Sequence, residues 1–327
     1  MNGLNYYLAQ VQEIFDNESF SAEPHGLYDP IEYTLRLGGK RIRPTLLLAA
    51  GSMFGADIAS LRDAALGIET FHNFTLLHDD LMDRSPMRRG QPTVCTKWDE
   101  NTAVLSGDTM YALAWRYFLR QPSPRLRDIL RCFNETAIEV CEGQQKDMDF
   151  EHMALDKVSI DAYRDMIRQK TAVLLAGALK IGALYADAPE PDTIRLYQFG
   201  IHLGLAFQLQ DDLLDAYGDT VVFGKKTGQD IVDNKKTYLP LAAFGLGNEE
   251  QKKDIVHLFA AKDNMDGDKK VRLAMQLYNA VKLRETVEQA VDLEFQQARG
   301  YLDDIRIDEE RKKPLREMMA TLNDRKK

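Results

Sequence analysis

The sequence predicts an all-α fold, built as a single helical-bundle domain over residues 1–327. Three observations carry this. Apolar residues recur at helical spacing over long stretches, no series of alternating β-branched strands competes with them, and the interruptions are short runs rich in glycine, proline and serine.

In chain order, short helices are expected near residues 4–16, 29–37 and 43–54. Residues 57–83 read as one long helix with Leu61, Ala65, Ile68 and Phe71 on its apolar stripe. Residues 103–120, 125–150, 159–185, 192–218 and 269–300 read as further long helices, and 235–245 and 250–262 as shorter ones. The breaks are GGKRIRP (38–44), RSPMRRGQP (84–92), QPSP (121–124), APEP (188–191) and YGDTVVFGKKTGQD (217–230). None reads as an interdomain linker, which favours one domain.

Composition narrows the class. The formal net charge of -9 argues against general nucleic-acid binding, although an acidic total leaves room for an anionic substrate in a locally basic pocket. Cys95, Cys132 and Cys141 form no CxxC pair and read as small buried hydrophobes of a reduced compartment. The first twenty residues lack the basic leader and apolar run of a signal peptide. The most apolar run, TAVLLAGALKIGALYA (171–186), carries Lys180 and is too short to span a bilayer. The expected site of action is the cytosol, without stable membrane insertion.

The chemistry-bearing residues come in two similar segments, HDDLMD (78–83) and QDDLLD (210–215), which share the spacing DDxxD. On a helix, positions i and i+4 share a face, so Asp79 and Asp83 point one way with Asp80 about a quarter turn round, and Asp211, Asp215 and Asp212 repeat the pattern. Like charges at this spacing repel, and both clusters sit at the C-terminal end of an apolar helix, where the helix dipole disfavours carboxylates. One such cluster reads as a solvated acidic face. Two read as cation sites, and oxygen-only ligands favour Mg2+. His72, Thr75, Asp79 and Asp83 fall on one stripe, and Gly204, Gln208, Asp211 and Asp215 on another. The expectation is a pair of facing acidic walls holding a diphosphate through Mg2+.

Cations for the same anion accompany the clusters. Lys40, Arg41 and Arg43 lie in GGKRIRP, Arg88 and Arg89 in MRRG, Lys170 beside Thr171 in RQKTA, Lys225 and Lys226 in GKKTGQD, and Lys235 and Lys236 follow. Arginine grips phosphate through a planar fork and lysine as a point charge.

In the order GGKRIRP, DDLMD with RRGQPT, LSGD, EGQQKDMD, KTA, FQLQDDLLD and the basic run ending KKTYLP, the chain resembles the trans-isoprenyl diphosphate synthases, or polyprenyl synthetases, from about residue 30 to about residue 240. The resemblance implies long helices around a central cavity, a homodimer, and three Mg2+ ions per active site. It implies that Asp79, Asp80, Asp83 and Asp211 engage the metals with Asp212 and Asp215 assisting. Lys170 and Lys225 would hold an allylic diphosphate (dimethylallyl, geranyl or farnesyl), with Arg88, Thr171 and Gln208 nearby. Lys40, Arg43, His72 and Arg89 would hold isopentenyl diphosphate, and Lys235 would close the metal side.

Product length is expected to be set upstream of Asp79. A helical turn rises 5.4 Å, close to one extended isoprene unit. Thr75 lies almost below Asp79, and Phe71 two turns down and to one side. Phe74 lies further round, but by the resemblance it holds the position of a length gate, and an aromatic there beside a small Thr75 resembles short-chain enzymes making geranylgeranyl or farnesyl diphosphate. The alternative is that Phe71 and Phe74 are ordinary core residues.

Three other readings compete. A class I terpene cyclase shares the fold and the first DDxxD, but GGKRIRP and the second DDxxD speak against it. ETFH (69–72) offers one ExxH of a di-iron bundle, which needs two. A non-catalytic subunit of a heteromeric synthase would have no need of two intact aspartate clusters.

Overall fold

The computed structural model describes residues 3–218, 227–260 and 265–324. They pack as two compact units. The first comprises residues up to Asn134 with Gly177–Tyr197 and Arg306–Glu317; the second comprises Glu135–Ala176, Gln198–Ile305 and the residues from Met318 on. All the boundaries but Ile305/Arg306 fall inside helices.

The first unit opens with α1 (Leu4–Asp16), α2 (His25–Arg36), α3 (Ile42–Met53) and α4 (Ile58–Met82). Asp57 starts α4 by accepting a hydrogen bond from Ser60 N at 2.7 Å. The stripe that made α4 legible is its core face: Leu61, Ala65, Ile68 and Phe71 are fully buried. Burying each of the larger side chains stabilises the fold by about 1.5–3 kcal/mol. At its C-terminus Arg84 adopts a left-handed φ of 51°. Arg84 N then donates to Leu81 O at 3.3 Å and Ser85 N to Asp80 O at 2.9 Å, the Schellman pattern. The first aspartate segment is thereby fixed in the last turns of a rigid helix.

A two-stranded antiparallel hairpin follows, β1 (Met87–Arg88) and β2 (Gln91–Pro92). Its two-residue loop, Arg89–Gly90, has φ of 53° and 75°, as a primed hairpin turn requires. Helices α5 (Val94–Lys97) and α6 (Glu100–Arg120) complete this stretch, and α4 packs along α6. Asp99 caps α6 by accepting from Thr102 N at 2.8 Å.

Helix α7 (Leu126–His152) leads into the second unit. The expected long helix over 159–185 is three pieces: α8 (Ile160–Ile167), a π-helical turn at Arg168–Ala172, and α9 (Val173–Tyr185). Helix α10 (Glu190–Tyr217) carries the second aspartate segment. The expected helix over 269–300 is two helices, Gly267–Ala280 and Leu283–Asp303, broken where Lys282 takes a φ of 51°. No glycine or proline marks that break. A helix at Glu309–Asn323 was not anticipated; Pro314 inside it argues locally against a helix. Among the described residues, no helix is long and apolar enough to cross a membrane.

Candidate active site

In the first unit the three aspartates of α4 separate by exposure. Asp79 is half-buried, Asp83 exposed, and Asp80 only 5% exposed. Arg88, delivered by the hairpin, donates through Nε to Asp80 Oδ1 at 2.7 Å and through Nη2 to Asp79 Oδ2 at 3.3 Å. Burial raises the Asp80 pKa, against the pull of Arg88, with Asp79 and Asp83 adding to the rise.

The basic loop GGKRIRP splits into structural and outward-facing parts. Arg41, at a left-handed φ of 47°, turns inward. Its Nη1 donates to Glu69 Oε1 at 2.8 Å, its Nη2 donates to Leu35 O, and its guanidinium lies 4.2 Å from the Phe15 ring centroid. Arg43 is half-buried and its Nη1 lies 3.0 Å from His72 Nε2. Guanidinium nitrogens only donate, so His72 accepts at Nε2; it is neutral and carries its proton on Nδ1. Desolvation and the Arg43, Arg89, Arg88 and Arg41 charges hold the His72 pKa well below the usual histidine range. Burial brings the Arg43 pKa down to about 10, with Glu69 opposing and Arg89 assisting.

Arg89 Nη1 donates to Gly38 O. Gly39 has a φ of 132°, and a Cβ there would sit 2.8 Å from the Arg89 guanidinium. Gly39 therefore leaves the space that Arg89 fills, and Gly38 supplies the carbonyl it binds. Arg43 Nε and Glu69 Oε2 are buried with no hydrogen-bond partner among the described residues. Arg43, Arg89 and His72 thus share one electrostatic neighbourhood with Glu69, whose charge Arg41 already pairs, so the local balance is positive. Lys40 lies exposed on the same loop.

Below the aspartates, Phe71 is fully buried, while Phe74 and Thr75 are half-buried. Phe74 packs against His78 at 4.8 Å, Phe71 at 5.5 Å and Tyr111 of α6 at 5.5 Å between centroids. Thr75 Oγ1 donates back to His72 O at 2.8 Å. Tyr111 was not anticipated. Its signal was the helical face of the LSGD segment, which sequence reasoning used only as a motif.

In the second unit, the π turn presents Lys170 and Thr171, and EGQQKD explains how. Gly143 sits where a Cβ would lie 2.3 Å from Lys170 N, so only glycine admits the bulged backbone against α7. Glu142 Oε2 accepts from Gln169 Nε2 at 2.9 Å, and Asp147 Oδ2 accepts from Lys170 Nζ at 2.6 Å. Thr171 Oγ1 donates to Gln208 Oε1 at 3.1 Å.

On α10, Asp211 and Asp215 are half-buried and Asp212 is 4% exposed. Asp212 accepts from Tyr163 OH, from Gln208 Nε2 at 3.1 Å and from Tyr238 N at 3.3 Å. Burial pushes the Asp212 pKa up to about 6 against those three donors. Asp215 Oδ2 accepts from Asp230 N at 3.1 Å. Burial, then Asp215 and Asp212, push Asp230 up to about 7, with Lys235 pulling the other way. Asp230 was missed because GKKTGQD was read for its lysines. Gly204, placed on the polar stripe by sequence, serves packing: a Cβ there would lie 2.5 Å from Ala172 Cα. Lys225 lies outside the described residues.

Among the described residues no three His, Cys, Asp or Glu side chains close into a ready-made metal cage. Mg2+ needs none, because it keeps waters and shares its shell with phosphate oxygens. Burial raises the pKa of Asp215 and of Asp230, and Asp215 adds to the rise at Asp230. Such neighbouring carboxylates fit a hard cation that arrives with a diphosphate.

A polyprenyl synthetase family model matches residues 24–278. The chain belongs to the polyprenyl synthetase family. It is a prenyltransferase, with the all-α architecture of that family. The geranylgeranyl diphosphate synthase of Methanosarcina mazei is 40% identical over 227 residues, 68% of this chain and 69% of that protein. A crystal structure of a geranylgeranyl pyrophosphate synthase is 41% identical, with a TM-score of 0.94 and full coverage of both chains. A decaprenyl diphosphate synthase from Rhodobacter capsulatus, 29% identical, superimposes with a TM-score of 0.86, covering 99% of this chain and 97% of that one. Synthases named for very different product lengths share this family backbone, so length has to be argued from side chains.

Proposed function

We propose that this polyprenyl synthetase condenses isopentenyl diphosphate with an allylic diphosphate to give a short trans-polyprenyl diphosphate, geranylgeranyl or farnesyl. The observation that supports this reading is the Arg43–His72–Arg89 cluster, two arginines coupled to a neutral histidine on the helix of the first aspartate segment. A terpene cyclase needs no such second diphosphate site.

In this reading Arg43, Arg89 and Lys40 supply fixed positive charge to the diphosphate of isopentenyl diphosphate, and neutral His72 donates from Nδ1. Lys170, Thr171 and Gln208 orient the allylic diphosphate, joined by Lys225 and Lys235. Mg2+, three ions by the resemblance, would be held through Asp79, Asp83, Asp211 and Asp215, with Asp80 and Asp212 behind them, and when bound supplies charge that stabilises the departing diphosphate. The allylic carbon–oxygen bond breaks, the electron pair leaves with diphosphate, the isopentenyl double bond attacks the allylic carbon, and a proton passes to the released diphosphate. Apolar side chains along the tail exclude water that would quench the cation.

A homodimer is supported by the outward face of α6, where Val104, Leu105 and Leu119 are 43%, 59% and 57% exposed. Of the three cysteines only Cys132 is the small buried hydrophobe expected; Cys95 is half-buried and Cys141 exposed. The test is incubation with labelled isopentenyl diphosphate, each allylic primer in turn and Mg2+, followed by sizing of the products. Chain extension to twenty or fifteen carbons is expected. Product from an allylic diphosphate alone would make this a cyclase, and no product from the purified protein would make it a partner subunit.

A further inference from the structure

We propose that Tyr163 and Asp212 form a positioning device for the allylic-diphosphate residues, with Asp212 acting as an anchor rather than as a metal ligand. This rests on the reading that Lys170 and Thr171 hold that diphosphate. Asp212 is buried, and its two carboxylate oxygens are occupied from three directions: Tyr163 OH of α8, Tyr238 N at the start of the helix Tyr238–Leu246, and Gln208 one turn back on α10. Gln208 has one donor group and one acceptor. With its Nε2 given to Asp212, its Oε1 is aimed at Thr171 Oγ1. The carboxylate thus fixes which way round the Gln208 amide lies.

The chain Tyr163–Asp212–Gln208–Thr171 therefore spans from α8 across α10 and back to the π turn that carries Lys170. The π turn needs such bracing. It interrupts the regular ladder between α8 and α9, and α7 holds it from one side through Glu142, Gly143 and Asp147. Asp212, through Gln208, holds it through the Thr171 side chain. Tyr163 is buried and sits seven residues before Lys170, so its hydroxyl ties the position of α8 to the same carboxylate. Supporting groups of this kind typically change activity or affinity by about 10–100-fold when removed.

The test compares Tyr163→Phe, Asp212→Asn, the double variant and Lys170→Ala, with Thr171→Val at the far end of the chain. The readouts are KM for each substrate at saturating Mg2+, calorimetric binding of a non-cleavable allylic thiolodiphosphate, and thermal melting. Tyr163→Phe is expected to weaken allylic KM and analogue binding about 10-fold or more, with isopentenyl KM unchanged. Asp212→Asn should do the same, and the double variant should be no worse than the worse single. Losses that multiply in the double variant would show Asp212 acting independently, as a metal ligand does, and overturn the proposal. A Tyr163→Phe effect on melting alone, or on both substrates equally, would also overturn it. If Lys170→Ala leaves allylic KM unchanged, the site reading falls and the proposal with it; if Lys170→Ala weakens it and Tyr163→Phe does not, only the positioning role falls. Should Tyr163→Phe not fold, the Thr171→Val and Asp212→Asn pair supplies the same non-additivity test.

Discussion

Replacing Phe74 by alanine should lengthen the product by one isoprene unit. Phe74 occupies the space between His78, on the aspartate side, and Tyr111 of α6 and Phe71 further in, at 4.8, 5.5 and 5.5 Å between centroids. Its ring therefore fills about one helical turn, ~5 Å, along α4. That is the advance of one extended five-carbon unit. With the ring gone, the growing tail reaches the next aromatic layer, where Tyr111 and Phe71 stand, and stops there. The alternative function of Phe74, pure core packing, makes a different forecast. Because Phe74 is half-buried while Phe71 is fully buried, Phe74→Ala should cost less than the about 3–5 kcal/mol typical of a buried phenylalanine. Phe71→Ala should cost that full amount without lengthening the product by itself. Adding Tyr111→Ala to Phe74→Ala should release a further unit. Reverse-phase chromatography of dephosphorylated products, paired with melting curves, reads both quantities. An unchanged product from a folded Phe74→Ala enzyme would refute the gate, as would lengthening by Phe71→Ala alone.

The two proposed diphosphate subsites should respond to separate glycine substitutions. Gly39→Ala puts a methyl 2.8 Å from the Arg89 guanidinium at a φ of 132° and should raise KM for isopentenyl diphosphate with little change in allylic KM, measured by steady-state kinetics. Gly143→Ala puts a methyl 2.3 Å from Lys170 N and should show the opposite pattern, with a stability loss of about 1–3 kcal/mol by denaturant titration. Neutral His72 acts as a donor and acceptor, so His72→Gln should retain most isopentenyl affinity and His72→Phe should lose it. Its folded pKa is depressed, so it stays neutral from pH 8 down through its ordinary range, and isopentenyl KM should show no His72 titration there. Stability should instead fall as pH drops below the unfolded value near 6.5, where the unfolded chain binds the proton and the folded chain does not; a KM titration near that pH, lost in His72→Gln, would sink the assignment. Glu69→Gln strands Arg41 beside Arg43 and Arg89 and should lower stability by about 3–5 kcal/mol, read from melting curves.

The sequence showed these features unequally, and the reason is physical. Periodicity reports which face of a helix is apolar, so α4, α6, α7 and α10 were legible nearly to their ends. It cannot report a left-handed residue without glycine, and so Lys282 broke a helix unannounced. Nor can it report a π turn, which displaces the register by a single residue within an otherwise helical run. Spacing showed that Arg41 and Arg43 were close neighbours in a basic loop. It could not show that Glu69 and Phe15 draw Arg41 inward while Arg43 meets His72, because those partners are distant in sequence.

The aspartate clusters show most clearly what spacing can and cannot decide. In DDxxD the first and last residues are about 40° apart around the helix, while the second lies about 100° from the first. A helix with one face toward a pocket and another toward its neighbours must divide such a triplet. Both clusters do so: Asp80 is 5% and Asp212 4% exposed, while their companions are half-buried or exposed. The inward carboxylates cannot be left bare, and each is met by groups from elsewhere in its own unit, Arg88 for Asp80 and Tyr163 with Tyr238 for Asp212. Three identical side chains in five positions therefore carry two different duties, offering oxygens outward and locking the helix that offers them. The partners of the inward residue, not the motif, determine which duty each aspartate has.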